Sequence, residues 1–196
     1  MPISDGVISF VFLKLKIISP VKFDYQEAYF SIPVSYKDII GGYQPVLYLT
    51  KIESILPGRE IYGYNKTLAD ITFEEEKNQT SISVRRMDTL IIKATFEKGE
   101  SRPPAASGSS PYSFFHKFIP SIEKNAKPAV NQLALVELTN STISDFRPCK
   151  ASLELFNTKY DPFDKIPVLK IIDAGYLENV FTLGYGKILY DYNQGK

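Results

Sequence analysis

Few residues in this chain can do chemistry, and most exclude themselves by type or by spacing. Cys149 is the only cysteine and His116 the only histidine, so an internal disulfide, a cysteine-based zinc site and a CxxC redox pair are ruled out. A metal would have only carboxylates to bind, and these show none of the clustering of a calcium loop. Cys149 follows Pro148 and reads as a small packed or surface residue rather than a nucleophile. Ser/His/Asp catalysis would need His116 as its base, but that residue stands in the aromatic run Phe114-Phe115-His116, where a packed or surface histidine is the simpler reading. Gly41-Gly42 lacks the further glycines and the Lys-Ser/Thr of a phosphate-cradling loop and reads as a turn. The run Glu74-Glu75-Glu76 reads as a solvated strand end or helical turn. What remains is Gly58-Arg59-Glu60-Ile61-Tyr62-Gly63-Tyr64-Asn65-Lys66-Thr67-Leu68-Ala69, a segment that sets one lysine among tyrosines.

The elements that must position this segment are strands. With 23 Lys+Arg against 22 Asp+Glu, the formal charge is +1, which argues against a nucleic-acid groove or a polybasic membrane patch. The 196 residues are 44% apolar and 23% charged, enough for one core, and a single domain over 1–196 is expected. Tyr and Phe number 13 each and Trp is absent; aromatic and β-branched side chains suit pleated surfaces. Ile8, Phe10 and Phe12 alternate with Val11, Leu13 and Leu15, as in a strand buried on both faces at its start. Further strands are expected over Gln44–Lys51, Leu133–Leu138, Ala151–Phe156, Val168–Ile172, Val180–Leu183 and Lys187–Tyr192. Ser81–Val84 and Thr89–Lys98 flank Met87-Asp88, and Leu90, Ile92, Ala94 and Phe96 share one face, the pattern of a hairpin covering a core. Residues Gly99–Pro111 hold only small, polar or proline residues and predict a long flexible loop. The reading is a mainly β fold, an antiparallel barrel or cone with one or two short helices. The apolar stretch Val7–Ser19 is interrupted by Lys14 and Lys16 before it could span a bilayer and lacks the marks of a secretory signal, so a cytoplasmic protein without membrane partners is expected.

The segment Gly58–Ala69 resembles the acetoacetate decarboxylase family, whose pattern here is Gly-Arg-Glu, four residues, then Pro-Lys-Lys-Leu. Counting back from Gly58 without a gap, Glu27 falls on a family active-site glutamate, and Ile32-Pro33-Val34-Ser35 matches the segment after it. Pro111-Tyr112, Ile119-Pro120, Leu153-Glu154-Leu155-Phe156, Pro162, Ile166-Pro167-Val168 and Tyr190-Asp191-Tyr192 recur in order, so the likeness runs from about Ser9 to Tyr192. It implies a cofactor-free decarboxylation of a β-keto acid through a Schiff base on Lys66, with Glu27 as the proton shuttle and Arg59, Glu60 and Tyr64 around the substrate. A protonated imine accepts the electrons left by departing CO2 far better than a carbonyl does, but only a neutral amine can form it. With an ordinary lysine pKa of about 10.4, less than roughly one amine in a thousand is neutral at pH 7, so the protein must depress that value by desolvation or by a nearby cation. Tyr62, Tyr64, Leu68 and Ile71 are the candidate apolar wall. A surface lysine in a turn is the ordinary alternative for Lys66. For Arg59 and Glu60 the alternative is an ion pair or a subunit contact, since adjacent strand residues face opposite ways.

Three departures bear on what the resemblance implies. The likeness opens at an early core strand, so the arginine of the family's longer N-terminal segment has no counterpart in it. Val11 or Phe12 stands where the family has a second glutamate, and Thr67 replaces the second lysine, leaving desolvation, or Arg59 folding back, to tune Lys66. The resulting cavity is more apolar. Two other functions therefore stay open: a Schiff-base aldolase or dehydratase acting on a larger carbonyl compound, and a non-catalytic barrel that binds small molecules. The family resemblance also implies a homo-oligomer.

Overall fold

Alternating aromatic and β-branched residues build twelve strands among the described residues. The computed structural model describes residues 6–103 and 110–195. Its elements in order are β1 (Ser9–Ile17), β2 (Phe23–Tyr36), β3 (Ile39–Tyr43), β4 (Leu47–Leu49), helix α1 (Ile52–Pro57), a π-helical turn (Gly58–Tyr62), β5 (Lys66–Leu68), β6 (Asp70–Glu76), β7 (Gln79–Arg86), β8 (Thr89–Lys98), β9 (Tyr112–Ile119), β10 (Val130–Leu155), a 3-10 turn (Phe163–Lys165), β11 (Gly175–Leu183) and β12 (Lys187–Asp191). The chain divides into two compact units, one of Met1–Thr67, Gly108–Asn140 and Phe181–Lys196, the other of Leu68–Ser107 and Ser141–Val180. No described helix is long and apolar enough to cross a membrane.

In the first unit the strands run β5-β4-β2-β3-β9-β10, with β1 on β2 and β12 on β10. The β1–β2, β2–β3, β2–β4, β9–β10 and β10–β12 pairings are antiparallel and β3–β9 is parallel. Strand β2 is flanked on both edges over residues 27–29: Glu27 lies opposite Leu13 of β1 and Leu49 of β4, and Ala28 opposite Phe12 and Tyr48. That doubly paired stretch keeps water from the backbone beside Glu27. Thr50 fastens the end of β4, its Oγ1 accepting the Gln26 N–H at 3.0 Å and donating to Gln26 Oε1 at 2.9 Å. In the second unit β8 pairs with β10 and β7, and β7 with β6, all antiparallel.

The hairpin expected around Met87-Asp88 is present; both residues take left-handed φ, 48° and 61°, as a two-residue turn matched to strand twist requires. Glu74-Glu75-Glu76 ends β6 in solvent. Other expectations are corrected. Strand β1 is half-buried rather than buried on both faces, because its described ladder is with β2 alone. The strand expected over Gln44–Lys51 shrinks to Leu47–Leu49. Leu133–Leu138 and Ala151–Leu155 belong to one strand, β10, which runs on through polar β-formers such as Thr139, Thr142 and Ser144 and through Asn140, whose φ is +51°. Val168–Ile172 forms no strand and is largely exposed, Leu169 at 90%, since an apolar run becomes a strand only beside a partner edge. Strand β2, which carries Glu27, was masked by its polar residues. Of the loop expected over Gly99–Pro111, residues 104–109 lie outside the described residues; nearby, the Gly99 N–H donates to Pro148 O at 2.8 Å and the Arg102 N–H to Phe146 O at 3.0 Å.

The core of the first unit is Tyr25, Leu47, Leu49, Ile55, Tyr64, Phe115 and Val136, with Tyr29 and Tyr62 packed against it. Leu49, fully buried opposite Glu27, tests this assignment. Leu49→Ala is expected to lower unfolding free energy by about 2–5 kcal/mol, read from the denaturant midpoint; a change below about 1 kcal/mol would show that the core lies elsewhere.

Candidate active site

Lys66 opens β5 directly after a backbone reversal. The Tyr64 N–H donates to Gly58 O at 3.1 Å, the Lys66 N–H to Tyr64 O at 2.8 Å, and the Leu47 N–H to Asn65 O at 3.0 Å, which hooks the reversal to β4. Gly63 ends the π-helical turn at φ +85°, and a Cβ there would lie 2.5 Å from Lys117 Cβ, so only glycine fits. The Lys117 ammonium closes the same turn by donating to Ile61 O at 2.9 Å.

The side chain of Lys66 is buried, at 8% exposure, and so is Glu27 at 6%. Nζ lies 3.5 Å from Glu27 Oε2 and donates to Ser54 Oγ at 3.2 Å and Ser54 O at 3.5 Å. The Tyr64 and Tyr25 rings stand 5.0 and 5.9 Å from it. Gly58 makes room for the lysine stem: a Cβ on it would meet Lys66 Cδ at 2.7 Å, Cε at 2.9 Å and Nζ at 3.2 Å. Desolvation pushes the Lys66 amine below the ordinary lysine range, opposed by the Glu27 carboxylate. It pushes the Glu27 carboxyl up, opposed by the ammonium. Both shifts move toward a neutral pair, a free amine beside a protonated acid.

Of the residues singled out from sequence, Lys66, Glu27 and Tyr64 come together. Arg59 and Glu60 sit on the π-helical turn, not on a strand, and both are exposed. Arg59 Nη1 donates to the backbone carbonyl of Lys66 at 3.0 Å; it braces β5 and does not figure among the causes of the Lys66 shift. Glu60 is turned to solvent. Leu68 is 58% exposed and provides no wall, Tyr62 is packed against the core, and Ile71 belongs to the second unit. The residues not foreseen are Ser54 on α1 and Tyr25 and Tyr29 on β2. The last two had a signal: at two residues either side of Glu27 they share its strand face. The register also places Val11, opposite Tyr29, on that face, whereas Phe12 faces with Ala28.

Burial raises the phenols of Tyr29 and Tyr64, and that of Tyr25 to about 12, with the Glu27 charge adding to each. Above pH 10 the unfolded chain therefore binds fewer protons than the folded one, and stability must fall as pH rises. These phenols contribute no pH dependence below about pH 9, and above it we expect them to bring a decline between 10 and 12 of up to about 1.4 kcal/mol per pH unit for each phenol. Denaturant titrations at each pH should give a shallower decline for Tyr25→Phe; identical curves would contradict the assigned burial. Gly58→Ala is expected to keep the far-ultraviolet circular dichroism spectrum while changing the reactivity of the Lys66 amine toward an amine-directed reagent at least about 10-fold, because its Cβ displaces the lysine stem; unchanged reactivity would contradict that contact.

Comparison with known proteins identifies the family of the fold. The family model described as acetoacetate decarboxylase (ADC) matches residues 1–193. An acetoacetate decarboxylase of Burkholderia mallei is 32% identical over 186 residues, covering 86% of this chain and 69% of its own, and one of Paraburkholderia phytofirmans is 30% identical, covering 86% and 68%. The crystal structure of acetoacetate decarboxylase from Legionella pneumophila superposes with a TM-score of 0.83 at 28% identity, over 95% of this chain and 74% of that one. The mainly β architecture, with its short helix and turns, is thus the one this family uses, and the chain belongs to the acetoacetate decarboxylase family.

Proposed function

We propose that this chain is a cofactor-independent decarboxylase of a β-keto acid that works through a Schiff base on Lys66, the whole chain acting as one domain of that family. The observation that carries the reading is a buried amine 3.5 Å from a buried carboxyl group. Desolvation lowers Lys66 and raises Glu27, so a proton passing from one to the other yields the neutral nucleophile and its general acid in one step. The free amine attacks the ketone carbon, forming the N–C bond. Glu27 carries a proton from the nitrogen to the carbinolamine oxygen and supplies a second, so that water leaves and a protonated imine remains. The bond to the carboxylate carbon then breaks, CO2 departs, and the electron pair moves through the imine to nitrogen, giving an enamine. Protonation at carbon through Glu27 and hydrolysis by water release the ketone and restore Lys66; the cycle consumes one proton overall.

Tyr25 and Tyr64 wall the amine and keep its surroundings poor in water, while Arg59 and Glu60 are exposed. The expected test is incubation with acetoacetate, pyruvate or a longer β-keto acid, followed by borohydride and peptide mass analysis. A reduced adduct confined to Lys66, absent in Lys66→Ala, together with CO2 release that the substitution lowers by at least about 1,000-fold, is the expected result. An adduct without CO2 release would assign the same imine to aldol or dehydration chemistry. No adduct with any of the three would leave a binding barrel.

A further inference from the structure

We propose that Ser54 is a positioning residue that sets the direction of the Lys66 lone pair through two oxygens of one residue, its hydroxyl and its carbonyl. The inference rests on the Schiff-base reading of Lys66. An ammonium has three N–H bonds, and three acceptors stand around Nζ: Ser54 Oγ at 3.2 Å, Ser54 O at 3.5 Å and Glu27 Oε2 at 3.5 Å. When the proton facing Glu27 passes to that carboxylate, the two N–H bonds that remain donate to Ser54. The lone pair is left pointing toward the newly formed Glu27 O–H, so nucleophile and acid meet the same carbonyl group from the same side. Without Ser54 the neutral amine would rotate freely about Cε–Nζ, and its lone pair would face Glu27 only part of the time.

Local structure holds Ser54 in this role. Its side chain is buried, at 8% exposure, on the first turn of α1, where its N–H donates to Lys51 O at 3.2 Å. Gly58, which in a regular helix would donate to the Ser54 carbonyl, donates to Ile55 O instead. The passage from α1 into the π-helical turn therefore turns that carbonyl toward the lysine. A side-chain hydrogen bond between Ser54 and Tyr25 partly offsets the upward shift of the phenol, and with the serine hydroxyl as its donor an oxygen lone pair remains for the amine.

The test uses the rate of imine formation as a function of pH, followed as reduced Lys66 adduct with acetoacetate in the wild type, Ser54→Ala, Ser54→Cys and Ser54→Thr. Loss of an acceptor destabilises the ammonium and shifts its titration down, so Ser54→Ala holds more neutral amine at a given pH than the wild type. We nevertheless expect it to trap about 10- to 100-fold more slowly, with the acid limb of its profile moved to lower pH. Ser54→Thr, which keeps the hydroxyl, is expected to retain most of the rate. Ser54→Cys, of nearly the same shape but a poor acceptor, gives the same two readouts where the alanine variant fails to fold. A slower rate with an unmoved acid limb, or a wild-type rate in both the alanine and cysteine variants, would overturn the proposal for Ser54 alone. Absence of adduct in the wild type would overturn the reading of Lys66 and Ser54 with it.

Discussion

The first unit is organised around one constraint: an amine and a carboxyl group are removed from water together. Each alone would cost several kcal/mol to bury as an ion, and neither has solvent to relax into. Two arrangements satisfy the pair, an ammonium beside a carboxylate or an amine beside a carboxylic acid. Coulomb attraction favours the first and desolvation the second. Desolvation is the larger cause at both Lys66 and Glu27, so burial draws both groups toward their neutral forms. A lysine in solvent would stay charged and inert.

Keeping that balance requires that no water enter and that the 3.5 Å separation hold. Glu27 is secured from its own strand, because β2 is hydrogen bonded on both edges at that residue. Lys66 approaches from another element and must thread its stem past the π-helical turn. That turn is pinned by the Tyr64 N–H to Gly58 O, by Lys117 to Ile61 O and by Arg59 to Lys66 O. The walls are phenols rather than aliphatic chains. Tyr64 packs edge-on against Phe115 with ring centroids 3.9 Å apart and still presents its face to the ammonium. A tyrosine gives an apolar wall with one polar tip, which suits a pocket that must tolerate both the charged and the neutral pair.

How much of this could be read from the sequence depended on whether the deciding contacts were local. The β7–β8 hairpin was legible because Met87-Asp88 and the alternation beside it lie within twenty residues. Lys66 and Glu27 were singled out through the resemblance to the acetoacetate decarboxylase family, counted from Gly58, and not through any pattern of burial. Ser54 was not, because a serine in a six-residue helix carries no mark until α1 is packed beside Lys66. Arg59 and Glu60 were weighed as adjacent strand residues, which alternation would send to opposite faces, whereas Gly58–Tyr62 coils into a π-helical turn and both residues are exposed. Long apolar runs misled wherever a partner edge decided the outcome, as at Val168–Ile172.

The same geometry bears on Thr67, where the family pattern has a second lysine. Residues 66 and 67 are consecutive in β5, so their side chains leave opposite faces of the strand. With Lys66 turned into the buried site, a side chain at 67 leads away from Nζ, and a cation there would act on the amine at longer range and from the more exposed side. Replacing it by threonine therefore removes little of what depresses the amine. Among the causes of the Lys66 shift only desolvation lowers it. An amine tuned in this way depends on the integrity of its walls rather than on a neighbouring charge, so Gly58, Tyr25, Tyr64 and the doubly paired stretch of β2 bear on its protonation as much as on the fold.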